Sequence, residues 1–302
     1  MFTEEVKMVS KVDYQFRFYD LPLCRLHVVE AGDGPPLIIV PATISECRDW
    51  IPLTRFMSHW FHVYFFELPG HGESTPFNKP FTTDLVAATV EDLVNALSIN
   101  KFSVMGFSFG GILTMKTFNR LKDRVDNVIL ISPCMTYAAV MLSPFRTWLA
   151  LFFNRIISLL LIRRAFLSLL HNPKTVNIGF RFLQQIGRLE STIELRPKLL
   201  LIRESTLEVL SAQINEILTI KFPVPREKHI TPCFFWMSVN DPVLDFRTTL
   251  DVVQEHFANI EITRSNKPYH QPPDPFTYEG LNREYYETVS GFLTKVVAKQ
   301  NS

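Results

Sequence analysis

The sequence is poor in cysteine and glycine and carries almost no net charge. Its 302 residues include four cysteines and 11 glycines, and 31 lysines and arginines balance 30 aspartates and glutamates. The cysteines are scattered without paired spacing, which predicts neither a disulfide framework nor a zinc knuckle. A net charge of +1 gives no overall field to attract nucleic acid, so no nucleic-acid partner is predicted.

The sequence also gives no sign of a signal peptide or a membrane-spanning helix. The acidic residues 1–5 lead into no apolar segment, so we expect a cytoplasmic protein. The longest stretch without charge, residues 127–145, contains Pro133 and Pro144 and begins with β-branched residues, which argues against a transmembrane helix. What the chain has is apolar residues, 47% of the total, enough to build a large folded core.

Short apolar runs alternate with helix-like segments along the chain. The runs at 37–41, 62–67, 102–107 and 127–132 suit strands that are buried on both faces of a parallel sheet. A clear helical spacing of apolar residues lies at 84–97. This alternation predicts an α/β fold with a mostly parallel sheet covered by helices.

Further elements are predicted at the two ends of the chain. They are an opening hairpin from 14–20 and 24–30, late strands at 233–238 and 260–263, and a closing helix at 281–297.

A long middle segment shows only helical periodicity. We therefore predict a core domain of residues 1–135 and 230–302, interrupted by a helical cap of residues 136–229. Within this cap, residues 148–170 read as a helix that is apolar on nearly all sides, broken by arginines. Such a helix must be buried or in contact with lipid.

Ser108 lies at the centre of the segment Gly106-Phe107-Ser108-Phe109-Gly110-Gly111, between a predicted strand and a helical pattern. A G-x-S-x-G motif at a strand-turn-helix junction exposes a nucleophilic serine, and the flanking glycines permit the tight turn. The helix N-terminus also favours a developing anion. We interpret Ser108 as a nucleophile; the alternative is a small-residue turn that contains serine by chance.

Two motifs give the chain a resemblance to the α/β-hydrolase-fold superfamily over nearly its whole length. One surrounds Ser108; the other, Glu67-Leu68-Pro69-Gly70-His71-Gly72-Glu73-Ser74, resembles the family's D-x-P-G-x-G-x-S loop with Glu67 in place of aspartate. The resemblance implies an α/β-hydrolase fold with an inserted helical cap, and a serine, an acid and a histidine in that chain order. His71 matches a structural position of the family.

The acid and the base are predicted from the later strands. Asp241 stands in a turn that resembles the family's G-x-x-D, and Asp245 is the fallback. His270 is the only histidine after the last predicted strand, with Tyr269 where the family usually has glycine. His256 falls in an amphipathic pattern, so we expect it to be packed rather than catalytic. A serine hydroxyl needs such a base, oriented by such a carboxylate, to attack a carbonyl.

The oxyanion hole is predicted to combine the N–H of Phe109 with one from the loop after the 37–41 strand. The family usually has His-Gly in this loop, whereas this chain has Pro41-Ala42-Thr43. Proline has no N–H, so the donor is Ala42 or Thr43, and Thr43 matches the usual position best.

The apolar content of the cap bears on the substrate. Phe107, Phe145, Trp148 and Phe152 are the candidate substrate-binding residues, which favours an apolar small molecule. The alternatives are that the cap aromatics pack the cap against the core, or that the apolar run makes weak contact with a membrane surface. No metal or organic cofactor is expected, and the oligomeric state is left open.

The leading hypothesis is a serine hydrolase that cleaves an ester or related acyl bond through Ser108, His270 and Asp241 and an acyl-enzyme. Relatives that use aspartate at the elbow, such as haloalkane dehalogenases and epoxide hydrolases, are disfavoured because serine cannot replace that carboxylate. The alternatives are a carbon-carbon bond hydrolase of ring-cleavage products and a non-catalytic protein that binds an apolar ligand on the same fold.

Overall fold

The computed structural model describes residues 13–178, 200–270 and 277–300. Its centre is an eight-stranded sheet with the order β1-β2-β4-β3-β5-β6-β7-β8. The strands are β1 Tyr14–Asp20, β2 Arg25–Ala31, β3 Pro36–Val40, β4 His62–Phe66, β5 Phe102–Phe107, β6 Val125–Ile131, β7 Cys233–Ser238 and β8 Ile260–Ser265. Strand β2 pairs antiparallel with both of its neighbours, and the other pairs are parallel.

The helices join and cover these strands. They include α1 Cys47–Met57, α2 Thr83–Ala96, α3 Gly110–Leu121, α4 Pro144–Ile157, α5 Leu160–Leu170, α6 Glu204–Thr219, α7 Phe246–His256 and α8 Tyr278–Gln300. Helices α1 and α8 contribute to one apolar cluster with the sheet, where Phe56 and Phe292 lie with Phe65 and Phe234. Helix α3 packs against β5 and β6, and α2 packs against α3.

The central strands are the apolar runs of the sequence, and burial explains why. All six residues of β5 are buried, as are all six of β7. A strand covered on both faces gains nothing from alternating polar residues, so it reads as a continuous apolar run. The predicted α/β fold with a mostly parallel sheet, the opening hairpin and the late strands are confirmed.

The chain divides into two compact units. The first consists of Met1–Met141 and Lys221–Ser302, and the second of Leu142–Ile220. The predicted cap of residues 136–229 extends beyond this second unit at both ends. Its flanks belong to the first unit because they form bridges there, Val140 with Leu244 and His229 with Phe257.

The apolar stretch 148–170 is not the single helix that the sequence suggested. Helices α4 and α5 meet at Ser158 and Leu159 with a bend of 98°. The Ser158 hydroxyl donates a hydrogen bond to the carbonyl of Arg155, 2.7 Å away, at the position where α4 ends. Within the described ranges, no single helix is long and apolar enough to span a membrane; the bent α4–α5 pair reaches that length and composition only when taken together.

Candidate active site

The turn from β5 into α3 places Ser108 in a strained conformation. Its φ is +53°, in the left-handed region that residues with a side chain rarely adopt. Three backbone hydrogen bonds fix it: Ser108 N–H donates to Ile131 O at 3.2 Å, and its carbonyl accepts from Gly111 and Cys134 at 2.9 and 2.8 Å. The strain is thus held by the neighbouring strand and helix, which is typical of a functional position.

Glycine is required beside this turn because backbone and side chains approach closely. A Cβ on Gly106 would lie 2.2 Å from the carbonyl oxygen of Gly110 and 2.3 Å from Oγ1 of Thr114. A Cβ on Gly110 would lie 2.9 Å from the carbonyl oxygen of Val40 at the end of β3. The motif therefore holds β3, β5 and α3 close together around Ser108.

The structure brings Ser108, His270 and Asp241 into one hydrogen-bonded row. Nε2 of His270 lies 2.8 Å from Oγ of Ser108, and Nδ1 of His270 lies 2.7 Å from Oδ2 of Asp241. An ionised carboxylate can only accept, so the proton of a neutral imidazole lies on Nδ1 and leaves Nε2 free to accept from the serine. The row has the geometry in which a histidine acts as a base toward a serine hydroxyl.

Asp241 is fixed by its own turn. Its side chain is fully buried, and Oδ1 accepts hydrogen bonds from the N–H groups of Val243 and Leu244 at 2.8 and 3.0 Å. Oδ2 is thereby directed at His270. The two oxygens of one carboxylate thus divide their roles between the turn and the histidine.

The turn that carries Asp241 is hydrogen bonded to the loop that carries His270. The Ser238 hydroxyl donates to the carbonyl of Lys267, and Asn240 Nδ2 donates to the carbonyl of Asn266 at 3.0 Å. Ser238 occupies the position where the family turn has glycine. The local sequence does not reveal the role of its hydroxyl, because the partner is 29 residues away.

Tyr269 anchors the histidine loop to α8. Its hydroxyl lies 3.1 Å from the hydroxyl of Tyr285 and 3.3 Å from Oε2 of Glu284. Lys267 forms an ion pair with Glu284, which lowers the pKa of that carboxyl and raises the pKa of Lys267. Burial and the hydrogen bond between its hydroxyl and Tyr269 raise the pKa of Tyr285. The tyrosine that replaces the family glycine therefore fastens the loop.

Asp245, the fallback acid, and His256, which was expected to be packed, have other partners. Oδ1 of Asp245 accepts a hydrogen bond from Thr248 N–H at 2.8 Å, which caps α7, and the hydrogen bonds from Thr248 lower the pKa of Asp245. Nδ1 of His256 lies 2.7 Å from the carbonyl of Val252 inside the same helix. Between Asp241 and Asp245, the hydrogen bond to His270 is made by Asp241.

The loop after β3 runs beside the start of α3, where an oxyanion hole is expected. Phe109 is the buried N-cap residue of α3, and Ile44 in the loop has a φ of +48°. In the described ranges, the N–H groups of Phe109 and Thr43 make no hydrogen bond. Their assignment as oxyanion donors stays a prediction.

Comparisons with known proteins agree with this fold. A family model described as alpha/beta hydrolase fold matches residues 35–156. A membrane phospholipase A, described as a bacterial virulence factor, has a similar structure with a TM-score of 0.63 and 18% identity, covering 96% of this chain and 87% of its own. The chain thus has the α/β-hydrolase fold, and its residues 35–156 match that family model.

Two further relatives of this α/β-hydrolase-fold protein carry names of enzymes. A 2-hydroxy-6-oxo-6-phenylhexa-2,4-dienoate hydrolase from Rhodococcus sp. strain RHA1 has a TM-score of 0.60 at 18% identity, covering 94% of this chain and 99% of its own. An uncharacterized carboxylesterase, nap, from Bacillus subtilis (strain 168) is 29% identical over 114 residues, 37% of this chain and 38% of that protein. The structural likenesses show the fold alone, and this chain spans well under two thirds of that carboxylesterase.

The predicted substrate-binding residues fall in different parts of the α/β-hydrolase-fold protein. Phe107, at the end of β5, is buried, and its ring centroid lies 5.2 Å from that of His270 and 6.2 Å from that of Trp50. The position of Trp50 beside Phe107 could not be predicted, because nothing in the local sequence of Trp50 indicates it. The other predicted residues, Phe145, Trp148 and Phe152, lie on α4 in the second unit, and their role in a pocket stays a prediction.

One group of side chains in the described residues has metal-ligand atoms close together. The ligand atoms of His27, Cys47 and Glu67 lie within 4.8 Å of one another in the core. Glu67 accepts the backbone N–H of Cys47 at 2.9 Å, and the Cys47 thiol lies 3.5 Å from the carbonyl of His27. Burial and the Glu67 carboxylate raise the pKa of Cys47. These hydrogen bonds link strand β2, helix α1 and the loop after β4 in the core.

Proposed function

We propose that this protein is a serine hydrolase that cleaves an ester or related acyl bond of an apolar small molecule. The observation that carries the proposal is the row Ser108–His270–Asp241, with hydrogen-bond distances of 2.8 and 2.7 Å and the serine on a strained elbow. A buried acid, a histidine and a half-buried serine hydroxyl joined in that order have little structural purpose together but a clear chemical one.

In the proposed reaction, Ser108 Oγ attacks the substrate carbonyl while Nε2 of His270 takes the hydroxyl proton. Asp241 holds the imidazole and stabilises the imidazolium that forms. The N–H groups of Phe109 and Thr43 are the proposed donors to the oxyanion, which would be worth about 3 kcal/mol each if well aligned. His270 then returns the proton to the leaving alcohol, and water hydrolyses the acyl-enzyme by the same steps.

The buried ring of Phe107 beside His270 supports an apolar group near the reacting carbonyl. It makes the site drier, which strengthens the hydrogen bonds within it. The same feature is compatible with carbon-carbon bond cleavage of ring-fission products, and the Rhodococcus relative is named as the hydrolase of a phenyl-substituted dienoate. A non-catalytic role as an apolar-ligand binder would leave the row of three side chains without a use.

The test is turnover of p-nitrophenyl esters of increasing acyl length, with a dienoic ring-fission product as a parallel substrate. We expect a burst of p-nitrophenol followed by steady turnover, and its loss in Ser108→Ala. Ser290→Ala, on α8, is the matched control and should retain activity. Retained turnover in Ser108→Ala would overturn the proposal, and a folded wild-type protein inert to every substrate would favour the binder.

A further inference from the structure

The aromatic side chains of α4 form a stripe exposed to solvent. Phe145, Trp148 and Phe152 are 68%, 58% and 46% exposed. Their rings stack in order, with centroids 6.2 and 5.5 Å apart. Contiguous exposed aromatic surface on a folded protein marks a site of interaction. We call these three residues the aromatic stripe.

Helix α5 extends the apolar surface beyond the bend. Leu159, Leu160, Leu161 and Leu169 are exposed, and no residue of α4 or α5 is buried. The other side of α4 is attached to α6 within the same unit, where Asn154 Nδ2 donates to the carbonyl of Ser211 at 2.8 Å. The pair of helices thus presents an apolar face from a fixed scaffold.

Arginines flank the aromatic stripe. At 3.6 residues per turn, the three rings fall within about 60° of the helix circumference, and Arg155 and Arg146 lie on opposite sides of that arc. Both arginines are exposed. Helices α4 and α5 contain no aspartate or glutamate at all. An apolar stripe bordered by cations is the pattern of a helix that lies in a membrane interface.

The charge of the whole second unit has the same sign. Residues 142–220 contain ten lysines and arginines and five aspartates and glutamates, a net charge of +5. Because the whole chain has a net charge of +1, the first unit carries −4. The apolar stripe therefore lies on the basic unit, which fits an anionic surface and disfavours pairing with a second, equally basic copy.

We propose that α4 and α5 bind the surface of a phospholipid bilayer that contains anionic lipid. The aromatic stripe and the α5 leucines enter the boundary between headgroups and acyl chains, and Arg146 and Arg155 bind lipid phosphates. Insertion of the apolar residues provides most of the binding free energy. Attraction between the arginines and the lipid headgroups adds to it and makes binding stronger on anionic lipid. This inference is independent of the chemistry at Ser108.

The test is flotation of the Ser108→Ala protein, which cannot cleave lipid by the proposed mechanism, with two kinds of vesicle. One is phosphatidylcholine alone, and the other contains about 30% phosphatidylglycerol, which makes the vesicle surface negatively charged. We expect binding to the second. Adding Trp148→Ser and Phe152→Ser should lower the partition coefficient about tenfold or more. Adding Arg146→Glu and Arg155→Glu should remove the preference for phosphatidylglycerol.

The matched control adds Val224→Ser and Ile230→Ser, which remove two exposed apolar side chains from the first unit and should leave partitioning unchanged. Thermal melting of each protein checks that it is folded. Failure of the folded protein to bind either vesicle would overturn the proposal, as would equal binding by the Trp148 and Phe152 variant. So would a dimer in sedimentation that this variant dissociates without any vesicle binding. A wild-type protein that floats with anionic vesicles but cleaves no ester would contradict only the proposed hydrolysis.

Discussion

At the scale of single residues, the site depends on which oxygen of Asp241 faces which partner. Oδ1 is used by the turn and Oδ2 by His270. An asparagine at 241 can keep its carbonyl oxygen on the turn and would then present its NH₂ group to Nδ1. Nδ1 would then have to accept a hydrogen bond, so the proton of the neutral imidazole would lie on Nε2. In that tautomer Nε2 could not accept the proton of Ser108.

We therefore expect Asp241→Asn to lower kcat for ester hydrolysis by about 10⁴-fold with little change in thermal stability. Asp245→Ala is the control, because that residue caps α7, and it should cost roughly 1 kcal/mol of stability with kcat almost unchanged. Steady-state kinetics and urea unfolding measure both. If the two variants exchanged these effects, Asp245 would be the orienting acid.

Tyr269 tests whether the histidine loop needs its anchor. Tyr269→Phe removes the hydroxyl that contacts Tyr285 and Glu284 but keeps the ring. We expect kcat to fall roughly five- to tenfold at nearly constant KM, since a less rigid loop presents His270 correctly for less of the time. Tyr286→Phe, the neighbouring exposed tyrosine on α8, should have no effect on kcat. A variant that loses stability but keeps kcat would show that the anchor serves only the fold.

At the scale of elements, the elbow can be tested by a pair of glycine substitutions with opposite expected signs. Gly106→Ala should destabilise by at least about 3 kcal/mol or prevent folding, because its Cβ would lie 2.2 Å from a carbonyl oxygen. Gly291→Ala lies in the middle of α8 with no atom within 4 Å of the new Cβ. It should stabilise by about 0.5–1 kcal/mol, since alanine favours helix. Urea unfolding of both proteins measures these changes, and similar effects at the two sites would contradict the packing described at the elbow.

The sequence predicted elements well where burial alone determines them. The strands β3 to β7 are short apolar runs because both faces are covered, and no tertiary information is needed to see them. The bend between α4 and α5 was missed, because it occurs within a run that stays apolar and the Ser158 hydroxyl bond is a local competitor of the helix.

In the candidate site, too, some residues could be predicted from local sequence and others only from the fold. The flanking glycines identify Ser108 in the sequence, and chain order and the family resemblance identify Asp241 and His270. The roles of Ser238 and Tyr269 could not be predicted, because only the fold brings their partners, Lys267 and Glu284, near them. The two residues that replace family glycines could therefore be explained only from their contacts in the structure.

At the scale of the whole molecule, buried thiols and a buried tyrosine hydroxyl make the free energy of unfolding fall at alkaline pH. Burial raises the pKa of Cys24 to about 12 and also raises the pKa values of Cys47 and Cys233. Burial raises the pKa of Tyr64 to about 12 as well. These groups stay protonated in the folded protein at pH values where they ionise in the unfolded chain. Their contribution is fully present below the unfolded pKa, about 8.5 for a thiol, and is lost as pH rises above it.

We therefore expect the free energy of unfolding to fall steadily from about pH 8.5 to pH 11, by up to about 1.4 kcal/mol per pH unit for each thiol. Cys233→Ala, which removes a fully buried thiol, should make this slope shallower. Urea unfolding across the pH range measures the slope. A stability that is flat or rises over this range would contradict the burial of these groups.

The central claim, that Ser108 is the nucleophile of a hydrolase, is tested most directly by intact-protein and peptide mass spectrometry after brief exposure to a fluorophosphonate. We predict one adduct per chain, located on Ser108, absent in Ser108→Ala and much slower to form in His270→Ala. A folded protein that acquires no adduct, or acquires it on another residue at the same rate in Ser108→Ala, would contradict the claim.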